Sequence, residues 1–480
     1  MHPQIKTHVV VIGGGPGGYA AAFHAADQGL SVVLVDSDSR LGGVCLNRGC
    51  IPSKALLHVA KLIHETQHSA PGGVTFGRPT IEIDGVRAWK DGIIDQLSNG
   101  IAGLAAQRNV MVITGRGIFE APNRLRIDRE DGQQMVVFDH AIVASGSRPA
   151  MPSAFDLGNP RVMTSTDALA LTDIPSSLLV IGGGYIGMEL GTVYQALGSK
   201  VTVVEAGGTL LAGADDDLVR VLRRTVDQTF NAIHTNTSIK GLKSVKGGIE
   251  FKMAHGETIE THCVDKVLVA VGRTPNTHNM GLETVGVALD EKGYIKVTSG
   301  YQTTVPSIYA IGDVIGGLLL AHKAGSDAKR AVQSLVGDPM VSQTAIPAVV
   351  FTDPEIAWVG LTESEAKREN RAVMVSKFPW AGSGRALTMN RTDGLTKVVV
   401  DPTSQTVLGV GIVGAGAGEL IAAGASLVGM AAQAMDVGTI IQAHPTVAET
   451  LLEAAESLLG HGVHSPGKHK APSPEVMVTA

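Results

Sequence analysis

One pattern occurs twice in this chain: a short β-branched run, a Gly-x-Gly-x-x-Gly turn, a helix, a second apolar run and a terminal acid. In the first copy, Val9 to Ile12 leads into Gly13-Gly14-Gly15-Pro16-Gly17-Gly18. An alanine-rich helix follows, and the strand Val32 to Val35 ends at Asp36. In the second, Leu178 to Ile181 leads into Gly182-Gly183-Gly184-Tyr185-Ile186-Gly187. A helix runs through Leu197, and the strand Val201 to Val204 ends at Glu205. The acid falls 23 residues after the first glycine in both copies. Such glycines permit a tight turn and close approach of backbone to a pyrophosphate; the helix N-terminus faces the phosphates and the acid accepts from a ribose hydroxyl. Glycine spacing alone is weak in a chain with 59 glycines. With strand, helix and acid in register it marks a dinucleotide site, and its recurrence marks two. The return strands IVASGSRP (142–149) and VLVAVGRTP (267–275) repeat as well.

Between the copies lies GGVCLNRGCIPSKALLH, Gly42 to His58, holding two of the chain's 3 cysteines. Cys45 and Cys50 precede a run that reads as a helix. A thiol at a helix N-terminus is shifted towards thiolate, and Arg48 adds positive charge between the sulfurs. The cysteines alone leave three readings open: a redox pair, two inert buried thiols, or half of a metal site. No second Cys or His pair with zinc-ligand spacing follows.

GGVCLNRGCIPSK resembles the redox-active segment of the flavoprotein disulfide reductases. Its CIPSKALL continuation is most similar to members that oxidise dihydrolipoyl groups, and motifs in family order continue to about Ser457. The resemblance implies an α/β fold with two Rossmann-like domains, for FAD and NAD, and a C-terminal α+β dimerisation domain. The expected boundaries are 1–149 for the FAD domain with its redox disulfide and 150–277 for the NAD domain. Residues 278–347 would complete the FAD domain, 348–460 would form the dimerisation domain, and 461–480 a flexible tail. It implies a Cys45–Cys50 disulfide, with Cys45 open to substrate and Cys50 nearer the flavin, and a Lys54–Glu189 pair beside it. FAD would be held by Gly13, Gly15, Gly18, Asp36, Lys54, Gly117, Ser145, Gly146, Ala321 and Asp313, the last in TTVPSIYAIGDV. The nicotinamide cofactor would be held by Gly182, Gly184, Gly187, Glu205, Ala270, Gly272 and Arg273. Glu205 would repel a 2′-phosphate and Ala206-Gly207-Gly208 offers no basic cluster, so NAD is expected over NADP.

QAHPTVAE (442–449) resembles the family's catalytic histidine motif. His444, one of 16 histidines, would exchange a proton with the substrate dithiol, and Glu449 would hold its other ring nitrogen. Thr446-x-x-Glu449 reads equally as a capping box. The implied assembly is a homodimer whose active sites are shared across subunits. The implied partners are lipoyl domains of 2-oxoacid dehydrogenase or glycine cleavage complexes. Two departures stand out. Asp36 replaces the usual Glu, one methylene longer, and Asp327-Ala328 replaces an acid-Gly pair, so Asp327 is given no role. The alternatives are another NAD(P)-dependent disulfide reductase and a non-catalytic flavin-bearing redox sensor.

A length of 480 residues suggests about three domains. A net charge of −6 without Lys/Arg clusters argues against nucleic acid. No apolar run reaches the roughly 18 residues a membrane span needs. The short N-terminal lead before the first strand, without signal or Arg-rich segment, predicts a cytoplasmic protein or a mature one already processed. No metal site is expected. Cys263 reads as a strand-packing thiol. The nearly uncharged stretch Ser426 to Met435 reads as a helix buried against a partner chain.

Overall fold

The protein is represented by a computed structural model that describes residues 4–68, 70–340, 342 and 345–464. It divides into two compact units. The first comprises Met1–His64, Gly77–Gly208 and Ala232–Gln343; the second comprises Glu65–Phe76, Thr209–Asn231 and Thr344–Ala480.

Both glycine motifs of the first unit fold as the apolar runs dictate. Strand β1 (Ile5–Ile12) is followed by helix α1 (Pro16–Asp27) and strand β2 (Val32–Asp36). β1 pairs in parallel with β2 on one side and with the return strand Gly132–Val143 on the other. Val9, Val10 and Val11 are all fully buried, as befits a central strand covered on both faces. Ile308–Ala310 adds a further parallel strand beyond Val143, bringing the 303–314 motif back to the first sheet. The second motif repeats the design. Ser177–Ile181 lies between the parallel strands Lys200–Val204 and Lys266–Val269. The two crossover segments, Ser147–Pro149 and Arg273–Pro275, pair antiparallel with each other.

The core of the second unit is a five-stranded antiparallel sheet in the order Ala348–Val350, Glu355–Gly360, Val407–Gly414, Leu395–Val400, Met374–Pro379. Trp380 is fully buried there, its ring N–H donating to Thr396 at 2.9 Å. The amphipathic helix Asp216–Thr229 buries Leu218, Val219, Leu222 and Val226 and carries Asp216 and Asp217 in its first turn, the favoured place for negative charge. Asp215 and Asp217 hold Lys397 of the sheet at 2.8 and 3.0 Å, and Glu363 completes the cage at 2.8 Å.

Three expectations need correction. The segment 278–347, which reads in the sequence as strands and a helix, is among its described residues mostly loop, with the short strand Ile308–Ala310, a 3₁₀ turn and the helix Ala321–Val336. The stretch 426–435 is not one helix. Ala417–Gly429 ends before Ala431, which has a positive φ of 52°, and Gln433 with Asp436 forms a capping box that starts Ala434–Thr439. Met430 is 80% exposed in this chain, so its apolar surface is not covered by the chain itself. Cys263 is exposed on the strand Thr258–Val264 and does not pack inside. Its strand is the edge of a three-stranded sheet and buries only Val264. Of the tail, 461–464 are described and 465–480 lie outside the described residues. Among the described residues no helix is long and apolar enough to cross a membrane.

Lys397 is 1% exposed at its side chain, so its ammonium depends on the three carboxylates. Its hydrogen bonds also hold the Glu363 carboxyl down to about 2. Lys397→Met should therefore destabilise the protein by about 3–5 kcal/mol in chemical denaturation, since it strands buried carboxylates. In the wild type, Glu363 is depressed below its unfolded value of about 4.3. Its contribution should be complete above that value and be lost as pH falls towards 2.

Candidate active site

At the end of β1 the chain turns through Gly13 at φ 107°. A Cβ at this position would collide with the carbonyl oxygen of Ala144, so only glycine lets the return strand come this close. Gly15 caps α1 and Pro16 occupies its first turn, where a missing N–H costs nothing. Asp36 closes the motif. It accepts the Gly14 N–H and, at 2.7 Å, the Asp38 N–H. Burial raises its pKa against the pull of these two donors.

This turn opens on a cleft of about 1270 Å³, its open mouth included. The cleft runs from Gly13, Gly15 and Asp36 past both cysteines to Ser145, Gly146, Asp313 and Ala321. Cys45 sits within the short helix α2 (Gly43–Arg48), and Cys50 is the first residue of the long helix α3 (Cys50–His68). The fold thus places Cys50, not both thiols, at the helix N-terminus. Both are free thiols and are hydrogen-bonded to each other. The bond stabilises the Cys50 thiolate and, with Lys54 adding to it against burial, lowers Cys50 to about 7. The same bond and burial push Cys45 up. Arg48 does not serve the sulfurs as expected; it pairs with Asp38 at 2.5 Å.

Lys54, one turn into α3, meets the buried Glu189 of the helix Tyr185–Ala196 at 2.8 and 3.0 Å. Asp313 accepts from Ser147 at 2.5 Å, and Ser147 accepts in turn from the Arg273 Nε at 2.7 Å. Arg273 thus faces the Asp313 end of the cleft; it does not project from the second glycine turn. The cleft carries further residues that the sequence did not single out: Ser147, Asn276 and Tyr185. Tyr185 is the fourth residue of the second glycine motif, and desolvation of its hydroxyl pushes it up to about 12. Asp327, which had no expected role, is 1% exposed. It accepts from the Tyr301 hydroxyl at 2.9 Å, from Lys323 at 2.6 Å and from the Gly312 N–H at 3.2 Å, just before Asp313. Its helical spacing from Lys323 was the available signal. Gly18 and Gly117 do not line the cleft; Gly117 lies in the strand Arg116–Ala121.

The second glycine turn repeats the first. Gly182 has φ 109°, Gly184 caps the next helix, and Gly187 lies buried within that helix. Glu205 accepts from the Gly183 N–H at 2.7 Å and from the Gly207 N–H at 2.6 Å, the counterpart of Asp36 on Gly14. Ala270 takes the place of Ala144: its N–H bonds the Ile181 carbonyl at 2.8 Å, and Gly272 follows with φ 126°.

In the second unit, His444 Nδ1 lies 2.9 Å from Glu449, and the other Glu449 oxygen accepts the Thr446 N–H at 2.7 Å. Glu449 thus binds the histidine and makes only the carboxylate half of the expected capping box. The Thr446 hydroxyl, however, donates to the Ala443 carbonyl, and Ala448 is the N-cap. Burial opposes ionisation of Glu449, but the Thr446 N–H and the His444 ring outweigh it and lower its pKa. The His444 side chain is 79% exposed.

Residues 7–328 match the pyridine nucleotide-disulphide oxidoreductase family and 346–455 match that family's dimerisation domain. The chain belongs to this family. It is 44% identical over 466 residues to the dihydrolipoyl dehydrogenase of Vibrio cholerae, spanning 96% of this chain and 97% of that one. It is 41% identical over 462 residues to the dihydrolipoyl dehydrogenase of Geobacillus stearothermophilus, covering 96% and 98%. Among solved structures it resembles LpdA from Mycobacterium tuberculosis with a TM-score of 0.87 at 27% identity, over 94% of this chain and 99% of that one. It also resembles the HOCl-induced flavoprotein disulfide reductase RclA from Escherichia coli, with a TM-score of 0.83 at 27% identity, over 94% and 99%.

Cys50 should react first when the reduced protein is titrated with iodoacetamide. Its alkylation rate should rise with pH through about 7 and then level off, because the thiolate is the nucleophile. Peptide mapping across a pH series checks both the site and the midpoint.

Proposed function

We propose that the chain acts as a dihydrolipoyl dehydrogenase, oxidising protein-bound dihydrolipoyl groups to lipoyl groups with NAD as the final acceptor. The observation that carries this reading is the hydrogen-bonded thiol pair in the wall of the cleft that the first glycine turn opens on. The residues fit the two cofactors. Gly13, Gly15 and Asp36 form a cradle that a side chain would fill, and Ser145, Gly146, Asp313, Lys54 and Ala321 extend it along one cleft suited to FAD. Gly182, Gly184, Gly187 and Glu205 offer NAD the same cradle. Glu205, beside Ala206-Gly207-Gly208 without a cation, would repel a 2′-phosphate. The remaining expected contacts, Gly18, Gly117, Ala270, Gly272 and Arg273, belong to this reading as supports of the two sites. The expected domain division, from 1–149 through 461–480, is retained with it.

The chain's own chemistry starts from the oxidised Cys45–Cys50 pair. His444, oriented by Glu449, takes a proton from one substrate thiol. The resulting thiolate attacks Cys45; the sulfur–sulfur bond breaks and Cys50 leaves as thiolate. The second substrate thiol then attacks the mixed disulfide, closing the lipoyl ring and releasing Cys45. The electron pair now resides on the two cysteines. The lowered pKa makes Cys50 the better leaving group, and Lys54 opposite it stabilises the charge. Bound flavin and nicotinamide supply the onward two-electron transfer. Lys54–Glu189 holds a fixed dipole at that end of the cleft.

A homodimer completes the site. The segment that matches the dimerisation domain leaves Ile441 98% exposed, close in sequence to His444 and to the exposed Met435 and Ile440. That apolar surface suits a second copy, with His444 serving the partner's cleft. Lipoyl domains of 2-oxoacid dehydrogenase or glycine cleavage complexes are the partners this chemistry calls for. A cytoplasmic setting goes with it, since a disulfide there is more often catalytic than structural.

A steady-state assay pairing NAD or NADP with dihydrolipoamide or glutathione tests the reading. NADH formation from dihydrolipoamide should dominate; a preference for glutathione or NADP would refute it. Cys50→Ser should keep its flavin and lose turnover, and His444→Gln should lower kcat by roughly 10²–10⁴-fold, the usual range for a general base.

A further inference from the structure

Asp327 is a buried acid that the chemistry of the cleft does not use. Its side chain is 1% exposed and does not line the cleft. Ionised groups inside a protein cost stability unless donors surround them. Here the donors come from three separate places. The Tyr301 hydroxyl donates to one oxygen at 2.9 Å. Lys323, one turn earlier on the helix Ala321–Val336, donates to the other at 2.6 Å, and the Gly312 N–H joins it there at 3.2 Å. Arg330 backs Tyr301, donating to its hydroxyl at 2.8 Å with the guanidinium carbon 5.3 Å from the ring centre. The Tyr301 carbonyl, in turn, accepts the Ala310 N–H at 3.0 Å, two residues before Gly312.

Gly312 opens the 3₁₀ turn Gly312–Ile315, and the first N–H groups of a helical turn have no acceptor inside it. Its φ is 74°, and a Cβ there would come to 3.1 Å from the Ala324 Cβ. A Cβ on Gly17 of α1 would come to 3.3 Å from the same atom. The turn, α1 and the helix Ala321–Val336 are therefore packed around one methyl group, with no side chain on either glycine to adjust the fit. The next residue is Asp313. Its carboxylate lines the cleft, accepts from Ser147 and lies 3.7 Å from the Arg273 Nε.

We propose that Asp327 is a positioning residue for the flavin: by accepting the Gly312 N–H it fixes the turn that presents the Asp313 carboxylate to FAD. The inference rests on the reading of Asp313 as a FAD contact. Asp327 acts through a single peptide unit, Gly312–Asp313, and the contact is direct. The role divides between the oxygen and the charge of the acid. The oxygen makes the bond to Gly312. The charge draws in Lys323, and through Tyr301 also Arg330, and these ties hold the oxygen in place.

The test is the rate at which FAD leaves the loaded full-length protein, followed as free flavin crossing an ultrafiltration membrane. Lys323→Met combined with Asp327→Ala removes both charges of the buried pair together, so neither is left uncompensated. It takes the acceptor from the Gly312 N–H, and FAD release should quicken by about tenfold, the worth of one buried hydrogen bond. Asp327→Asn keeps one oxygen for Gly312 and should release FAD within about threefold of wild type. Asp313→Asn alone should also quicken release. Adding Lys323→Met and Asp327→Ala to Asp313→Asn should then change the rate by less than about twofold, because both act on one contact. A loss of packing alone would quicken release by the same factor with or without Asp313, and that result overturns the proposal. So does a Lys323→Met, Asp327→Ala protein that holds FAD as wild type does, or an Asp327→Asn protein that releases it as fast as that double variant. Wild type that takes up no FAD, or Asp313→Asn that releases it at the wild-type rate, sinks the cofactor reading and this inference with it. A failure confined to the Asp327 variants sinks this inference alone.

Discussion

The carbonyl of Ala144 stands where a side chain on residue 13 would be. This backbone contact draws the return strand against the glycine turn. It brings Ser145 and Gly146 into the lining of the cleft together with Gly15 and Pro16 at the start of α1. The crossover that follows carries Ser147 to Asp313, and Arg273 of the second crossover reaches the same serine. The second motif meets the same constraint, since a Cβ on Gly182 would collide with the Ala270 carbonyl. Two nucleotide sites thus share one geometric solution, which only glycine permits at two positions.

Carboxylates do much of the remaining work, and their surroundings decide what each does. Asp36 and Glu205 each accept two backbone N–H groups, one on each carboxylate oxygen, which fixes the orientation of both acids against their glycine turns. Asp327 is buried and spends its acceptors on Tyr301, Lys323 and Gly312, so it shapes the segment before Asp313 without touching the cleft surface. Glu363, Asp215 and Asp217 neutralise a lysine inside the second unit. Glu449 lies 2.9 Å from the ring of His444, whose side chain is mostly exposed in this chain.

Much of this was legible beforehand, for stated physical reasons. The glycine turns, their acids and the cysteine segment are local patterns whose geometry depends on residues within a few positions of one another. The Lys54–Glu189 contact joins residues 135 apart and was available only through family likeness. Ser147 and Asn276 escaped notice because single serines and asparagines at strand ends carry no periodic signal; Asp327 was noticed but left without a role, because its contacts with Tyr301 and Gly312 are set by the fold. Arg48 was misread because proximity in sequence suggested the sulfurs, whereas the fold brings Asp38 nearer. The stretch 426–435 was misread as one helix because a uniform lack of charge carries no signal for the break at Ala431, whose positive φ separates the helix ending at Gly429 from the one that Gln433 caps.

By itself the sequence determined two strand–turn–helix units, the acid that ends each, and the placing of Cys50 at the start of a helix. These follow from short-range sterics and periodicity, which tertiary contacts leave unaltered. Only the tertiary structure decided which thiol carries the lowered pKa. That outcome depends on Cys45 donating across a helix break and on the Lys54 charge acting on Cys50. It also decided that His464 reaches Glu453, a contact that depends on where the backbone turns back after the helix Glu449–Leu459, which no local rule of spacing encodes.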